Sequence, residues 1–97
     1  MDSVYILYSN NLDTFYKGQT SDLTSRLKRH NNRLVESTKF GVPWTLLWTT
    51  TKVSRSAAVL LELKVKNLSR QRTILFMLKF NQDIIGHDEA QIIQRLS

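Results

Sequence analysis

Two tyrosines, Tyr5 within Val4-Tyr5-Ile6-Leu7 and Tyr16 at the head of Tyr16-Lys17-Gly18, stand just ahead of a cationic run, Arg26-Leu27-Lys28-Arg29-His30. A phenol with its ordinary pKa of about 10 is a poor base at neutral pH, and cations close by are what could change that. A guanidinium is always charged, and its planar fork suits phosphate oxygens. The group therefore offers a candidate general base and a phosphate-binding cation. Glu62 is the sole carboxylate between Glu36 and Asp83. Each residue also has an ordinary structural role. The tyrosines serve as cross-strand packing aromatics, Arg26 as an exposed helix cation, and Gly18 as the site of a strand bulge. Glu62 serves as the surface partner of Lys66 at i,i+4, a pairing worth about 0.3–0.5 kcal/mol.

The elements that must hold these side chains can be read from the pattern. Ser3 to Ser9 reads as a strand, with apolar Val4, Ile6 and Leu7 and aromatic Tyr5 and Tyr8. Asn10-Asn11-Leu12-Asp13 supplies turn chemistry, and Phe15-Tyr16 resumes an extended run, which makes a hairpin. Ser21 is the expected N-cap of a helix from about Asp22 to Arg33, with Leu23, Leu27 and Leu34 as its apolar residues. Phe40-Gly41-Val42-Pro43 interrupts it, and Trp44 to Thr51 reads as a third strand carrying both tryptophans. Ser54 or Ser56 then caps a helix whose Ala58, Leu61, Val65 and Leu68 form one stripe. A further helix spans Ser69 to about Lys79. A loop follows over Asn81 to Gly86, and Asp88-Glu89 opens a capped terminal helix with Ile92, Ile93 and Leu96. The fold class expected is α/β (α+β): a three-stranded, mostly antiparallel sheet flanked by helices.

With 97 residues and 41% hydrophobic content, the chain has room for one compact domain, 1–97. No run approaches the ~20 apolar residues of a membrane span, and no signal-peptide pattern opens the sequence, so a cytoplasmic location and no membrane partner are expected. The absence of cysteine excludes disulfides, thiolate nucleophiles and cysteine-containing zinc sites; two distant histidines make no cage, so a metal would take oxygen ligands. The net charge of +6 is concentrated in the middle of the chain. From Lys17 to Lys39, six cations face Asp22 and Glu36, leaving +4; from Lys52 to Arg72, six face Glu62 alone, leaving +5. A polyanion suits that distribution, because each phosphate neutralised releases counterions. Lys28, Arg29 and Arg33 on the first helix, with Lys64 and Lys66 on the second, are the expected nucleic-acid-binding cations.

The order strand, strand, helix, strand, helix, with Tyr16-Lys17-Gly18-Gln19-Thr20, Asp22-Leu23, Arg26-Leu27, His30-Asn31, Pro43-Trp44, Glu62, Lys66 and Ser69-Arg70 in register, resembles the GIY-YIG nuclease domain. The details are similar to its small stand-alone bacterial branch. The resemblance covers positions 4–72 as a catalytic core and leaves 73–97 as a C-terminal helical extension, which could complete the core or contact another chain. It departs from the family in two places. Lys17 fills the middle of the second motif, where an apolar residue is usual, and the first motif lacks its leading glycine.

The resemblance implies hydrolysis of phosphodiester bonds in DNA by an endonuclease of repair or recombination, acting on branched, single-stranded or duplex forms. It implies one Mg²⁺ or Mn²⁺ cofactor. Tyr5 and Tyr16 become the motif tyrosines, one taking the proton from water and the other positioning it. Arg26 becomes the residue that grips the scissile phosphate, and Glu62 the metal ligand. Gly18 and His30 become supporting residues, Gly18 for close backbone approach and His30 to bond a motif tyrosine, to assist with protons or only to fix the helix end, a structural role coming first. Lys17 is also in the supporting set, either inward with a shifted pKa or outward on the phosphate-binding surface. Two other functions remain compatible with the residues. One is a nucleic-acid-binding module of the same fold with weak turnover; the other is a partner-binding protein whose terminal helix makes an oligomer.

Overall fold

A computed structural model describes all residues, 1–97. Strand β1 (Asp2–Ser9) pairs antiparallel with β2 (Thr14–Thr20) on one side and β3 (Trp44–Lys52) on the other, so the sheet order is β2-β1-β3 and every pairing is antiparallel. β1 is therefore central, and its alternation divides the molecule. Val4, Ile6 and Tyr8 face one layer, while Tyr5 and Leu7 face the other, with Val4, Tyr5, Ile6 and Leu7 all at 0–1% exposure.

On the first face lie α2 (Arg55–Lys66), α3 (Arg70–Lys79) and α4 (His87–Leu96). Ala58 and Val65 from α2, Ile74 and Met77 from α3 and Ile93 from α4 join Val4, Ile6, Tyr8, Leu47 and Trp48 in one buried cluster. The C-terminal segment thus completes the core of its own chain, and the apolar side of α4 is spent there. β3 contributes Leu47 and Trp48, two successive residues, to the same cluster because the β1–β3 register shifts between Ile6 and Leu7. The bulge places an extra residue opposite β1 and turns both side chains inward. Trp48 donates its indole N–H to the Phe80 carbonyl at 3.0 Å, and Ile85 donates its backbone N–H to Leu47 at 3.0 Å, which covers part of the β3 edge. The segment expected to be a loop after α3 includes a short 3₁₀ turn, Asn81–Asp83, that brings Ile84 alongside Trp48.

The second face carries α1 (Leu23–Asn31) alone, with Leu23 and Leu27 packed on Tyr5, Leu7 and Trp44. Its N-cap is Asp22 and not Ser21: the Asp22 carboxylate accepts the Ser25 N–H at 3.1 Å. Its end also falls short of Arg33. Arg33 takes a left-handed φ of 61°, Leu34 N–H reaches back to the Arg29 carbonyl at 2.9 Å, and Arg33 N–H reaches His30 at 3.2 Å. That is the Schellman closure, built without the usual glycine, and it leaves Leu34 64% exposed instead of on the apolar stripe. At the start of α4 the acidic Asp88 and Glu89 lie in the first turn as expected, but Gly86 precedes the helix and no side chain caps it.

Of the two serines open as caps of α2, Ser54 holds the place, accepting the Ala57 N–H at 3.2 Å. Ser54→Ala should cost about 1 kcal/mol, or about 4–8 °C in Tm for a domain of this size, whereas Ser56→Ala should leave Tm nearly unchanged. Thermal melts of the two variants check this, and equal losses would refute the assignment.

Candidate active site

The site begins with the register of β1 on β2. Tyr5 stands opposite Gly18 and Leu7 opposite Tyr16, so both tyrosines and the glycine lie on the face that α1 covers. A Cβ on Gly18 would sit 2.5 Å from the Tyr5 hydroxyl oxygen and 2.6 Å from the ring carbon that bears it. Gly18 is there because the phenol tip crosses over its backbone, and any side chain would occupy that space. No bulge is needed to account for it.

Asp22 and the leucines orient α1 so that Arg26 and His30, one turn apart, face the tyrosines. His30 is fully buried, and its Nε2 lies 3.0 Å from the Tyr5 hydroxyl. Its Nδ1 lies 2.8 Å from the hydroxyl of Thr38, which is itself buried. Thr38 directs its own proton to the Val35 carbonyl at 3.4 Å, so its oxygen accepts from His30 Nδ1–H. This network assigns the tautomer: Nε2 carries the free lone pair, and the Tyr5 O–H donates to it. Burial, with the charges of Arg26 and Arg29 adding to it, pushes the His30 pKa down to about 4, which keeps the ring neutral at physiological pH. Tyr16 is half-buried, its ring centroid 4.9 Å from that of His30, 6.4 Å from that of Tyr5 and 6.2 Å from that of Trp44.

Arg26 lies between the phenols. The Tyr5 hydroxyl, and less strongly Tyr16, raise its pKa further against the opposing effect of burial. Its Nε is nevertheless buried with no hydrogen-bond partner, the one such side-chain atom in the molecule. A buried guanidinium N–H without an acceptor is costly. Its complement is an anionic oxygen. Tyr5 shows the opposing influences at this spot. Burial raises its pKa, and Tyr16 and Glu62 oppose its ionisation, while Arg26 favours it.

Glu62, on α2, is 15% exposed with the Lys66 ammonium 3.6 Å from its carboxylate. Its charge opposes the ionisation of Tyr5, the smallest of the influences on that phenol. No three His, Asp or Glu side chains converge anywhere in the chain. A cation here would take the single carboxylate of Glu62 and complete its shell with water and phosphate oxygens, a hard-oxygen set that suits Mg²⁺.

Lys17 does not join the group. It pairs with Ile6 in the sheet and so points to the face opposite Tyr16 and Gly18, where its ammonium reaches the Leu68 carbonyl at 3.4 Å. Burial lowers its pKa, and no carboxylate pairs with it. Its bond to the Leu68 carbonyl ties β2 to the segment after α2. Lys28, Arg29, Arg33, Lys64 and Lys66 are all exposed. Reasoning from sequence passed over two polar residues that hold the site in place. Thr38 positions His30, and Asn31 accepts the Trp44 backbone N–H at 2.6 Å and donates to the Trp44 carbonyl at 3.2 Å. Asn31 follows His30 directly, which was the available signal; Thr38 gave none.

Comparison with known proteins agrees with this geometry. The family profile of the GIY-YIG catalytic domain matches residues 1–74, and the chain belongs to that family. The site is accordingly that of a nuclease-type domain. The solution NMR structure of the UPF0213 protein BH0048 from Bacillus halodurans is similar, at 30% identity and a TM-score of 0.52 over 79% of this chain and 83% of that one. No curated protein matches the chain. No helix is long and apolar enough to cross a membrane.

The buried neutral histidine has a thermodynamic signature. Its folded pKa of about 4 lies below the ordinary 6.5, so the unfolded chain binds the extra proton between those values. The stabilisation is present above pH 6.5 and is lost as pH falls toward 4. Between pH 7 and 5 the loss from His30 should be about 2 kcal/mol. Denaturant titrations of the parent and of His30→Gln across that range test it: the parent should lose stability and the variant should show a flatter profile. Parallel profiles would place the pH dependence elsewhere.

Proposed function

We propose that the protein is a divalent-metal-dependent endonuclease that hydrolyses phosphodiester bonds in DNA, in a repair or recombination setting. The observation that carries this reading is the buried, unpaired Arg26 Nε between two phenols, backed by a neutral histidine with its lone pair on Tyr5. An anion is what the first lacks, and a proton is what the second can accept.

In this reading a phosphate oxygen takes the Arg26 N–H and the guanidinium holds the phosphate in register. Tyr5 accepts a proton from water as its own passes to His30 Nε2. His30 is a weak base before substrate arrives, in part because of the Arg26 charge. A bound phosphate offsets that charge and raises the basicity of His30 when it is needed. Tyr16, half-exposed beside His30, orients the water. Glu62 would hold the Mg²⁺ or Mn²⁺, which supplies a Lewis acid for the phosphoryl charge and the leaving oxygen. Lys28, Arg29, Arg33 and Lys64 contribute salt-dependent affinity along the strand.

Purified protein incubated with duplex, branched and single-stranded DNA, with Mg²⁺ or with EDTA, tests the proposal: cleavage in Mg²⁺ alone supports it. Binding without cleavage of any substrate would reduce the protein to a binding module of the same fold. Among variants, Arg26→Lys keeps the charge and loses the fork, so kcat should fall about 100-fold or more with a smaller effect on DNA affinity. Lys28→Ala should show the converse. Glu62→Gln should bind DNA in EDTA as the parent does and cleave at least ~100-fold more slowly, with partial recovery at high Mg²⁺. Parental cleavage by Glu62→Gln would leave Glu62 as the partner of Lys66 and nothing more.

A further inference from the structure

Phe40 is the one aromatic residue of the chain that is exposed, at 77%, whereas Tyr5, Tyr8, Trp44 and Trp48 are buried and the other four rings are half-buried. A single exposed apolar side chain is unremarkable in itself. What distinguishes Phe40 is the construction beneath it. It lies in the middle of a 3₁₀ turn, Lys39–Gly41, whose N-terminal neighbour is Thr38. The Thr38 carbonyl accepts both the Gly41 N–H at 3.0 Å and the Trp44 indole N–H at 2.8 Å. Gly41 is buried flat against the Trp44 ring, where a Cβ would collide, and Asn11 donates to the Val42 carbonyl at 2.7 Å. The turn is therefore held at four points, and it projects an aromatic ring into water from that fixed base.

The same base belongs to the site. The hydroxyl of Thr38 fixes His30, which bonds Tyr5, and Trp44 packs on Tyr16. The ring is also ready for charge: the Lys39 ammonium lies 5.1 Å from its centroid, shared with the Glu36 carboxylate at 2.9 Å. A flat apolar ring with a cation over one face and the other face open, mounted on the turn that positions the histidine, matches the chemistry of an unpaired nucleobase and its phosphate. Bases stack on such rings without regard to sequence, and bases stacked inside a continuous duplex are not free to do so.

Resting on the nuclease reading above, we infer that Phe40 is a substrate-selecting residue. It stacks on an unpaired base close to the phosphate held by Arg26, so that DNA with a locally unpaired strand is preferred over continuous duplex.

The test compares two fluorescein-labelled duplexes of equal length, one continuous and one with a short unpaired bubble, by anisotropy in EDTA and by cleavage in Mg²⁺. The parent should bind the bubble more tightly. Phe40→Ala and Phe40→Leu should lower the ratio of bubble to duplex affinity by about 10- to 100-fold, and Phe40→Tyr should keep it. Leucine separates stacking from simple burial of apolar surface. Because the ring is exposed, unfolding curves of all three variants should overlay that of the parent. A parent without preference, a ratio unchanged in Phe40→Ala, or a ratio fully retained in Phe40→Leu overturns the inference. The binding arm stands apart from catalysis. A preference that Phe40→Ala removes, in a protein that cuts nothing, would uphold Phe40 and sink the nuclease; cleavage without preference would do the reverse.

Discussion

The phenol of Tyr5 lies across the bare backbone of Gly18, and most of what the site can do follows from that apposition. Antiparallel pairing puts the two residues opposite each other, and the missing side chain lets the hydroxyl run past β2 to the region where α1 presents Arg26 and His30. The contact is unforgiving because strand periodicity is two. A slip of one residue between β1 and β2 would set Tyr5 opposite Lys17 or Gln19 and put Tyr5 and Tyr16 on opposite faces of the sheet, leaving His30 with one phenol in place of two. Burial of β1 on both faces is what prevents such a slip, since Ile6 and Val4 would then have to exchange places with Tyr5 and Leu7.

The electrostatics around that contact describe a site at rest. Arg26 carries its charge with one N–H unsatisfied, His30 is held neutral, and the Tyr5 proton is shared toward it with burial opposing ionisation. Nothing in the resting arrangement makes a strong base. An anion beside Arg26 would satisfy its open N–H and raise the basicity of His30, while weakening the support that Arg26 gives to an ionised Tyr5.

Much of this was legible in the sequence, because the relevant residues obey local rules. The strand alternation around Tyr5, the pairing of Arg26 with His30 at one helical turn and the stripe from Ala58 to Val65 each arise from backbone geometry that sequence spacing encodes. Failures came where a tertiary partner decided the outcome. α1 ends before Arg33 because a Schellman closure forms there on an arginine, and no glycine announced it. Asp22 displaced Ser21 as cap, since either side chain can accept the bond and only the path of the preceding strand chooses between them. The side of the sheet on which Lys17 falls follows from its pairing with Ile6, which a linear motif does not state. Thr38 is silent in sequence because its role depends on a histidine eight residues earlier coming to rest against it.

The core on the helical face closes only when residues beyond the family match are included. Met77 and Ile93 are buried against the sheet, and the Trp48 indole finds its acceptor at Phe80, whereas every candidate catalytic side chain precedes position 74. Inheritance and folding thus draw different boundaries through this polypeptide. The portion that holds the candidate catalytic side chains is shorter than the portion that can keep water away from Trp48.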